Sequence, residues 1–396
     1  MSRARLAYVS FDTAPAPKGA STHIEWFARS LAQAFGGVEL VTIAPGAETS
    51  SSKERWPGVF HTELPALGET LIDRVLCSRR FLAHWLRDRQ FEAIQFRSIF
   101  EGLPLLELAD GSRLIFEVNG LPSIELKYRY PGVEDDRELM RKLLAQERAC
   151  FEAAHRIVTP SGVTRHYLIA GRHVTPEKIR VIPNGVDAEV FHPAANPKPE
   201  ACGTRLLYFG TLSAWQGVEI GIRALAQVRS QIPATLTIIG AGSHRERDAL
   251  MALGSKLGVA AHLNLLEAVP QAELAARLQQ SDIVLAPLTL NDRNLIQGCC
   301  PLKILESMAA GAPVIASDLP VVRELGCDEE HFLLAKPGSV DQIAQAVLRL
   351  AADKGLARRI SEQGREHVLE RFTWRHAGDA LASAYEDIGI SRPRIC

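Results

Sequence analysis

The sequence has no long apolar run. Nothing in its 396 residues approaches the roughly 18 consecutive apolar residues of a membrane span, which excludes a transmembrane helix by pattern. No cleavable apolar core precedes the first strand either. Met1-Ser2-Arg3-Ala4-Arg5 runs directly into Leu6-Ala7-Tyr8-Val9-Ser10, so the expectation is a cytoplasmic protein, with any membrane association on the inner face. There is no C-x-x-C spacing. The seven cysteines (Cys77, Cys150, Cys202, Cys299, Cys300, Cys327 and Cys396) are odd in number, which argues against a disulfide framework or a zinc site. The adjacent Cys299 and Cys300 are poorly placed to share one ion, and a packing role is expected for them. Neither charge sign is in excess. A net charge of −1 argues against nucleic acid as a bulk electrostatic partner. G-x-G-x-x-G is missing, and so is any short-period repeat of the solenoid kind.

What is present is alternation. Apolar runs at 6–10, 38–43, 93–96, 114–118, 157–159 and 179–182 are separated by helical patterns such as 22–35, 71–89, 134–153 and 163–170. The alternation restarts at 206–209, 236–239, 263–266, 283–286, 314–316 and 332–334. Strands alternating with helices imply parallel, doubly wound sheets. The proline-rich stretch 193–200 between the two series reads as a linker. The chain therefore divides into a first domain over 1–193, a second over 194–371, and a terminal helix over 372–396 that returns towards the first or braces both. The length suits two cores better than one. Two such domains leave a cleft, and ligands bind beyond the carboxyl ends of the strands.

The richest segment runs from Gly298 to Ser317. It reads as a helix opened by Pro301 and closed by Gly311, feeding a buried strand. Leu302, Leu305 and Ala309 share one face and are expected to pack inward. Lys303 and Glu306, three residues apart, share another. A lysine in the first turn opposes the helix dipole unless an anion also sits there. A carboxylate one turn deeper suits hydroxyl groups of the same ligand. Phosphate beside hydroxyls suggests a sugar nucleotide. An ordinary helix-to-strand unit with a snorkelling lysine is the competing reading.

Other segments supply candidates. Gly19 and Ala20 leave bare backbone after the first strand, with Ser21 or Thr22 as the expected N-cap. Asn119 closes another strand and can donate and accept hydrogen bonds. Gly210, Thr211 and Gln216 follow the second domain's first strand, and Gly240 and Gly242 its second. Arg293 is a fork for phosphate oxygens. Asn184-Gly185 reads as a turn, with Gly185 supplying positive φ. The 71–89 helix carries an apolar stripe of Leu71, Val75, Leu82 and Trp85 among arginines, suited either to an anionic membrane surface or to a solvated face.

Together these segments resemble glycosyltransferase family 4, retaining enzymes of the two-domain GT-B architecture. The strongest stretches are Ile182-Pro183-Asn184-Gly185-Val186-Asp187 with Phe191, and Lys303 through Ser317. The resemblance implies two Rossmann-like domains facing a cleft. It implies a UDP-, GDP- or ADP-sugar as co-substrate, a sugar acceptor, and neither cofactor nor metal. Glu306 matches the family's ribose-binding glutamate. The carboxylate that contacts the donor sugar would fall on Gly298, and the diphosphate-binding arginine and lysine on Thr211 and Gln216. The N-domain histidine would fall on Asn119. The expected donor site therefore comprises Gly19, Ala20, Gly210, Thr211, Gln216, Gly240, Gly242, Gly298, Leu302, Lys303 and Glu306. Lys303, Arg293 and Asn119 are the candidate catalytic groups, with the two cations neutralising the leaving diphosphate. The lost charges leave two alternatives open: a non-catalytic nucleotide-sugar-binding or partner protein, or a sugar-nucleotide epimerase. The product class is expected to be a surface glycan, a lipid-linked precursor or a small glycoside.

Overall fold

The computed structural model describes residues 4–393 apart from 45, 47, 110 and 196–202. Most of the expected linker, together with Cys202 and Cys396, lies outside the described residues. The first sheet holds β1 (Leu6–Val9), β2 (Val38–Ala44), β3 (Lys53–Trp56), β4 (Val59–Pro65), β5 (Ala93–Phe96), β6 (Arg113–Glu117), β7 (Arg156–Thr159) and β8 (Ile179–Val181). Their order is β3-β4-β2-β1-β5-β6-β7-β8, parallel except for the β3–β4 pair. The second holds β9 (Thr204–Phe209), β10 (Ala234–Ile239), β11 (Leu263–Leu266), β12 (Ile283–Ala286), β13 (Val314–Ser317) and β14 (Leu333–Ala335). Their order is β11-β10-β9-β12-β13-β14, all parallel.

Parallel strands covered on both faces read as near-continuous apolar runs, as in the fully buried Leu6–Val9. The β3–β4 hairpin escapes that pattern because β3 is an edge strand, Lys53-Glu54-Arg55-Trp56, with three exposed charged residues. Each sheet has one strand whose neighbours are reached in opposite directions: β1 between β2 and β5, and β9 between β10 and β12. Loops leaving the carboxyl ends of such strands diverge and open a crevice. Those ends carry Ser10–Lys18 and Arg97 in one lobe, and Gly210 and the 287–301 segment in the other.

The chain crosses between the lobes after β8 and returns at Phe372. The two crossings pair: Val186 N donates to the Phe372 carbonyl at 2.8 Å, and Trp374 N to the Val186 carbonyl at 3.3 Å. The last helix, Trp374–Glu386, then lies in the first lobe's core. Trp374 stacks on Trp26 with centroids 5.8 Å apart, and Tyr385 hydroxyl donates to Gln95 at 2.9 Å.

Some local expectations change. The first long helix is Gly19–Phe35, so neither Ser21 nor Thr22 is its N-cap; Lys18 holds that place without a side-chain cap bond. Ser21 Oγ instead accepts from Ala16 N at 2.7 Å. Val75, Leu82 and Trp85 of the Leu71–Leu86 helix are buried in the first lobe's core, which uses up the apolar stripe. The large apolar side chains that helix exposes are Ile72 and Leu76. Among the described residues, no helix is long and apolar enough to cross a membrane.

Candidate functional site

The Leu302–Ala309 helix starts one residue later than its sequence suggests, with Pro301 as an extended N-cap and no side-chain cap bond. Gly311, at φ +68°, turns the chain out of its end. Leu305 and Ala309 lie in the second lobe's core, as their spacing requires. Leu302 does not join them. It reaches across to the first lobe, where a Cβ added to Gly19 would sit 3.2 Å from Leu302 Cδ1. Two helix amino ends therefore meet at the crevice, neither of them capped by its own side chain. Unsatisfied N–H groups of this kind attract anions.

Lys303 is 7% exposed. Its Nζ donates to Gln216 Oε1 at 2.7 Å and sits 4.1 Å from the Tyr208 ring centroid. Burial, reinforced by the Arg293 charge, pushes its pKa down to about 7. Glu306 is equally buried, and burial raises its carboxyl to about 7 against the opposing pull of Lys303. The site thus holds a titratable cation and a titratable anion at one helix end, both out of bulk water.

Glycines bring the loops close to this pair. A Cβ on Gly210 would lie 3.2 Å from Lys303 Nζ. One on Gly240 would lie only 1.7 Å from the Gly210 carbonyl oxygen, and one on Gly242 2.6 Å from Leu212 Cδ1. Gly240 and Gly242 therefore permit loop-on-loop packing that shapes the floor. Thr211 is exposed, and its carbonyl accepts from Tyr208 hydroxyl at 2.7 Å. Gly19 is exposed at the opposite rim, and Ala20 is half-buried beside it.

Arg293 occupies a short π-helical turn, Arg293–Gln297, above the same helix. It is not a free fork. Its Nε donates to Glu125 of the first lobe at 3.0 Å, and its guanidinium lies 5.8 Å from the Trp215 centroid. Gln297 Nε2 donates to the same Glu125 oxygen at 2.8 Å, and Gln297 Oε1 accepts from Leu121 N at 2.8 Å. Lys127 pairs with Asp292 at 2.6 Å. These contacts latch the Pro122–Arg129 helix of one lobe to the turn of the other.

Gly298 stands in the left-handed region at φ +83°. A Cβ there would meet Ser161 Oγ at 2.6 Å and Thr164 N at 2.8 Å. A glutamate at this position has neither the backbone nor the room it needs.

Asn119 is half-buried at the end of β6, and its Nδ2 donates to Glu117. Glu117 is the hub that sequence reasoning missed. It is 1% exposed, yet Tyr8 hydroxyl and Gln95 Nε2 each donate to its Oε2 at 2.6 Å, and Arg97 Nε to its Oε1 at 2.8 Å. Despite desolvation, His23 and Arg97 hold its pKa down to about 2. A charged residue closing an apolar strand, Phe116-Glu117-Val118, was the available signal.

The Asn184-Gly185 reading also needs correction. Gly185 is not in the left-handed region. It is required because a Cβ would lie 2.3 Å from Trp374 N. Asn184 is not a turn former but a bridge: its Nδ2 donates to the Cys300 carbonyl at 2.7 Å, and its Oδ1 faces His23 Nδ1 at 2.6 Å. Cys299 and Cys300 are buried, free thiols. Elsewhere, Cys327, Glu330 and His331 lie close enough to share an ion. However, His331 Nδ1 already accepts from Cys327 N at 2.9 Å, which leaves the hydrogen of the neutral ring on Nε2, the wrong state for a ligand.

Two facing α/β lobes built on largely parallel sheets, with a lysine-bearing helix end aimed between them, make up the GT-B architecture. Known proteins narrow the class. A model described as Glycosyltransferase Family 4 matches residues 17–190, and one described as Glycosyl transferases group 1 matches 203–353. D-inositol 3-phosphate glycosyltransferase of Stackebrandtia nassauensis is 26% identical over 97% of this chain and 91% of its own. A GDP-mannose-dependent alpha-(1-6)-phosphatidylinositol monomannoside mannosyltransferase of Mycolicibacterium smegmatis is 30% identical over 51% of this chain and 54% of its own. Among solved structures, sucrose-phosphate synthase from Thermosynechococcus elongatus superposes with a TM-score of 0.81 at 21% identity, covering 97% of this chain and 99% of that one. HepE from Anabaena, in complex with UDP-glucose, gives a TM-score of 0.76 at 16% identity over 96% and 99%. The chain belongs to the family 4-type glycosyltransferases.

Proposed function

We propose that this enzyme moves a sugar from a nucleoside diphosphate sugar to an acceptor bound mainly by the first lobe, with retention of anomeric configuration and without a dedicated metal. One observation carries the reading. Lys303 and Glu306 lie buried at the amino end of a helix whose Leu302 touches the opposite lobe. The diphosphate sits against the free N–H groups of Leu302 and Lys303, with Lys303 ammonium as counter-charge. Glu306 accepts from the ribose hydroxyls. Gly210, Thr211 and Gln216 line the phosphates, and Gly240 and Gly242 shape the floor beneath. Gly19 and Ala20 approach from above, and Asn119 faces the reacting sugar. Arg293 reaches the leaving group only by exchanging Glu125 for phosphate. The complex of HepE with UDP-glucose supports a nucleotide sugar as donor.

In this scheme the donor phosphate takes the acceptor's proton while the acceptor attacks on the face the nucleotide leaves. The buried cation needs no metal to neutralise the departing charge. The acceptor is a hydroxyl-bearing small molecule, surface glycan or lipid-linked precursor; relatives named for inositol phosphate and phosphatidylinositol mannoside acceptors favour the phosphorylated and lipid-linked kinds. Inner-face membrane contact through 71–89 belongs to the same proposal. Exposed Ile72 and Leu76 lie on the helix that also exposes Arg80. Proton NMR of the glycoside formed in the presence of EDTA tests the reaction. Retained configuration at full rate is expected. Inversion, or loss of turnover restored by a divalent ion, contradicts it. Donor conversion without any acceptor would instead mark an epimerase.

A further inference from the structure

The hub at Glu117 and the donor helix belong to different lobes, yet a continuous line of side chains joins them. His23 is 4% exposed on the second turn of the Gly19–Phe35 helix. Its Nε2 lies 2.8 Å from Glu117 Oε1, at ion-pair distance though bent from hydrogen-bond alignment. Its Nδ1 faces Asn184 Oδ1 at 2.6 Å. Asn184 Nδ2 donates to the Cys300 carbonyl at 2.7 Å, and Asn184 backbone N to Cys300 Sγ at 3.3 Å. Because the amide hydrogens go to Cys300, the amide oxygen is left to accept from His23. Cys300 immediately precedes Pro301, the N-cap of the Leu302–Ala309 helix. Asn184 is itself held rigidly: Gly185 abuts Trp374, and Val186 pairs with the returning chain at Phe372. The link therefore runs from an ionised, five-partnered carboxylate of one lobe, through the crossing point, to the residue next to the N-cap of the donor helix.

We propose that His23 and Asn184 are positioning residues that register the donor helix against the acceptor lobe, fixing the separation of donor and acceptor without touching either. This rests on the reading of the Lys303–Glu306 helix as the donor site. A registry device differs from a binding group in its signature. The nucleotide is held mainly by the second lobe, so its affinity is largely preserved, while misplacement of the reacting atoms slows the transfer.

The test uses the full chain with Asn184→Asp, which keeps the His23 contact but removes the side-chain donor to the Cys300 carbonyl. It also uses His23→Gln and His23→Ala, of which only the first can still donate to Asn184. Calorimetry with UDP, GDP and ADP gives nucleotide affinity. Turnover is nucleoside diphosphate release from UDP-glucose, GDP-mannose or ADP-glucose with D-inositol 3-phosphate and hexose phosphates as acceptors. Hydrogen exchange at Ile304–Glu306 gives a readout that needs no substrate. Asn184→Asp and His23→Ala are expected to lower kcat roughly ten- to a hundredfold with donor KM and nucleotide Kd within about threefold. His23→Gln should recover part of kcat. Exchange should quicken at residues 304–306 and not in the Val218–Arg229 helix. Unchanged kcat and exchange, or a parallel loss of affinity and kcat, overturns the relay. If the wild-type chain binds none of the three nucleotides, the donor reading fails instead, and the exchange measurement alone decides whether His23 and Asn184 hold the helix. Should Asn184→Asp not fold, the two His23 variants decide.

Discussion

At the residue scale, Lys303 and Glu306 conflict with their surroundings in the unliganded protein. Lys303 has its pKa lowered from 10.5 to about 7, so the cost of burying its charge is present in acid and relieved as pH rises through 7. Glu306 has its pKa raised from 4.5 to about 7, so its cost is absent in acid and appears as pH rises towards 7. Glu306→Gln should therefore raise the melting temperature of the free protein at about pH 8 and change it little at about pH 4. Scanning calorimetry at the two values checks the sign. An anionic diphosphate reverses the pull on Lys303 by favouring its charged form. Nucleotide binding should take up a proton above neutrality and strengthen as pH falls from about 9 to 7. Titration in buffers of different ionisation enthalpy reads that proton directly. Lys303→Ala should lower kcat by about a hundredfold, the scale of one lost charge-stabilising donor, with a smaller effect on nucleotide affinity. Equal losses in both would make the lysine a binding group only.

At the scale of elements, Gly298 is the position where the resemblance would put a carboxylate for the donor sugar, and the fold leaves no room there for one. Its left-handed φ and the nearby Ser161 and Thr164 exclude any side chain. Gly298→Glu should cost on the order of 3 kcal/mol, combining backbone strain with overpacking, and should not raise turnover. Urea unfolding and a donor assay measure the two halves of that statement. Strand alternation was legible in the sequence because parallel strands bury both faces and leave unbroken apolar runs. The β3–β4 hairpin was not, since its edge strand is charged. The Lys303–Glu306 face was legible because helical spacing is local. The role of Asn184 was not, because His23 lies 161 positions away and Cys300 116. Arg293 was seen as a cation, but its partner Glu125 comes from the other lobe, and no local pattern announces such a pairing.

At the scale of the molecule, polar contacts tie the lobes together on both flanks of the crevice, beside apolar contacts made by Leu302 and Val163. Glu324 of the second lobe accepts from Gly162 N and Val163 N, both at 2.9 Å, at the start of a first-lobe helix. Glu125 gathers Arg293 and Gln297 on the other flank. Such contacts suit a hinge that opens and closes. Glu125→Ala combined with Glu324→Ala should expand the particle in small-angle scattering and raise donor KM, while each lobe keeps its fold by circular dichroism. An unchanged radius would place the closure elsewhere, in the paired crossings at Val186 and Phe372.

The account stands on a buried helix end that grips a nucleotide through Glu306 and Lys303. Isothermal titration of the wild-type chain and of Glu306→Ala with UDP, GDP and ADP examines that grip without an acceptor. One of the three nucleotides should bind the wild-type chain, and the same nucleotide should bind Glu306→Ala at least about tenfold more weakly, the order of one lost hydrogen bond to a charged group. Equal affinity in the two proteins, or no binding of any nucleotide to the wild type, would contradict it.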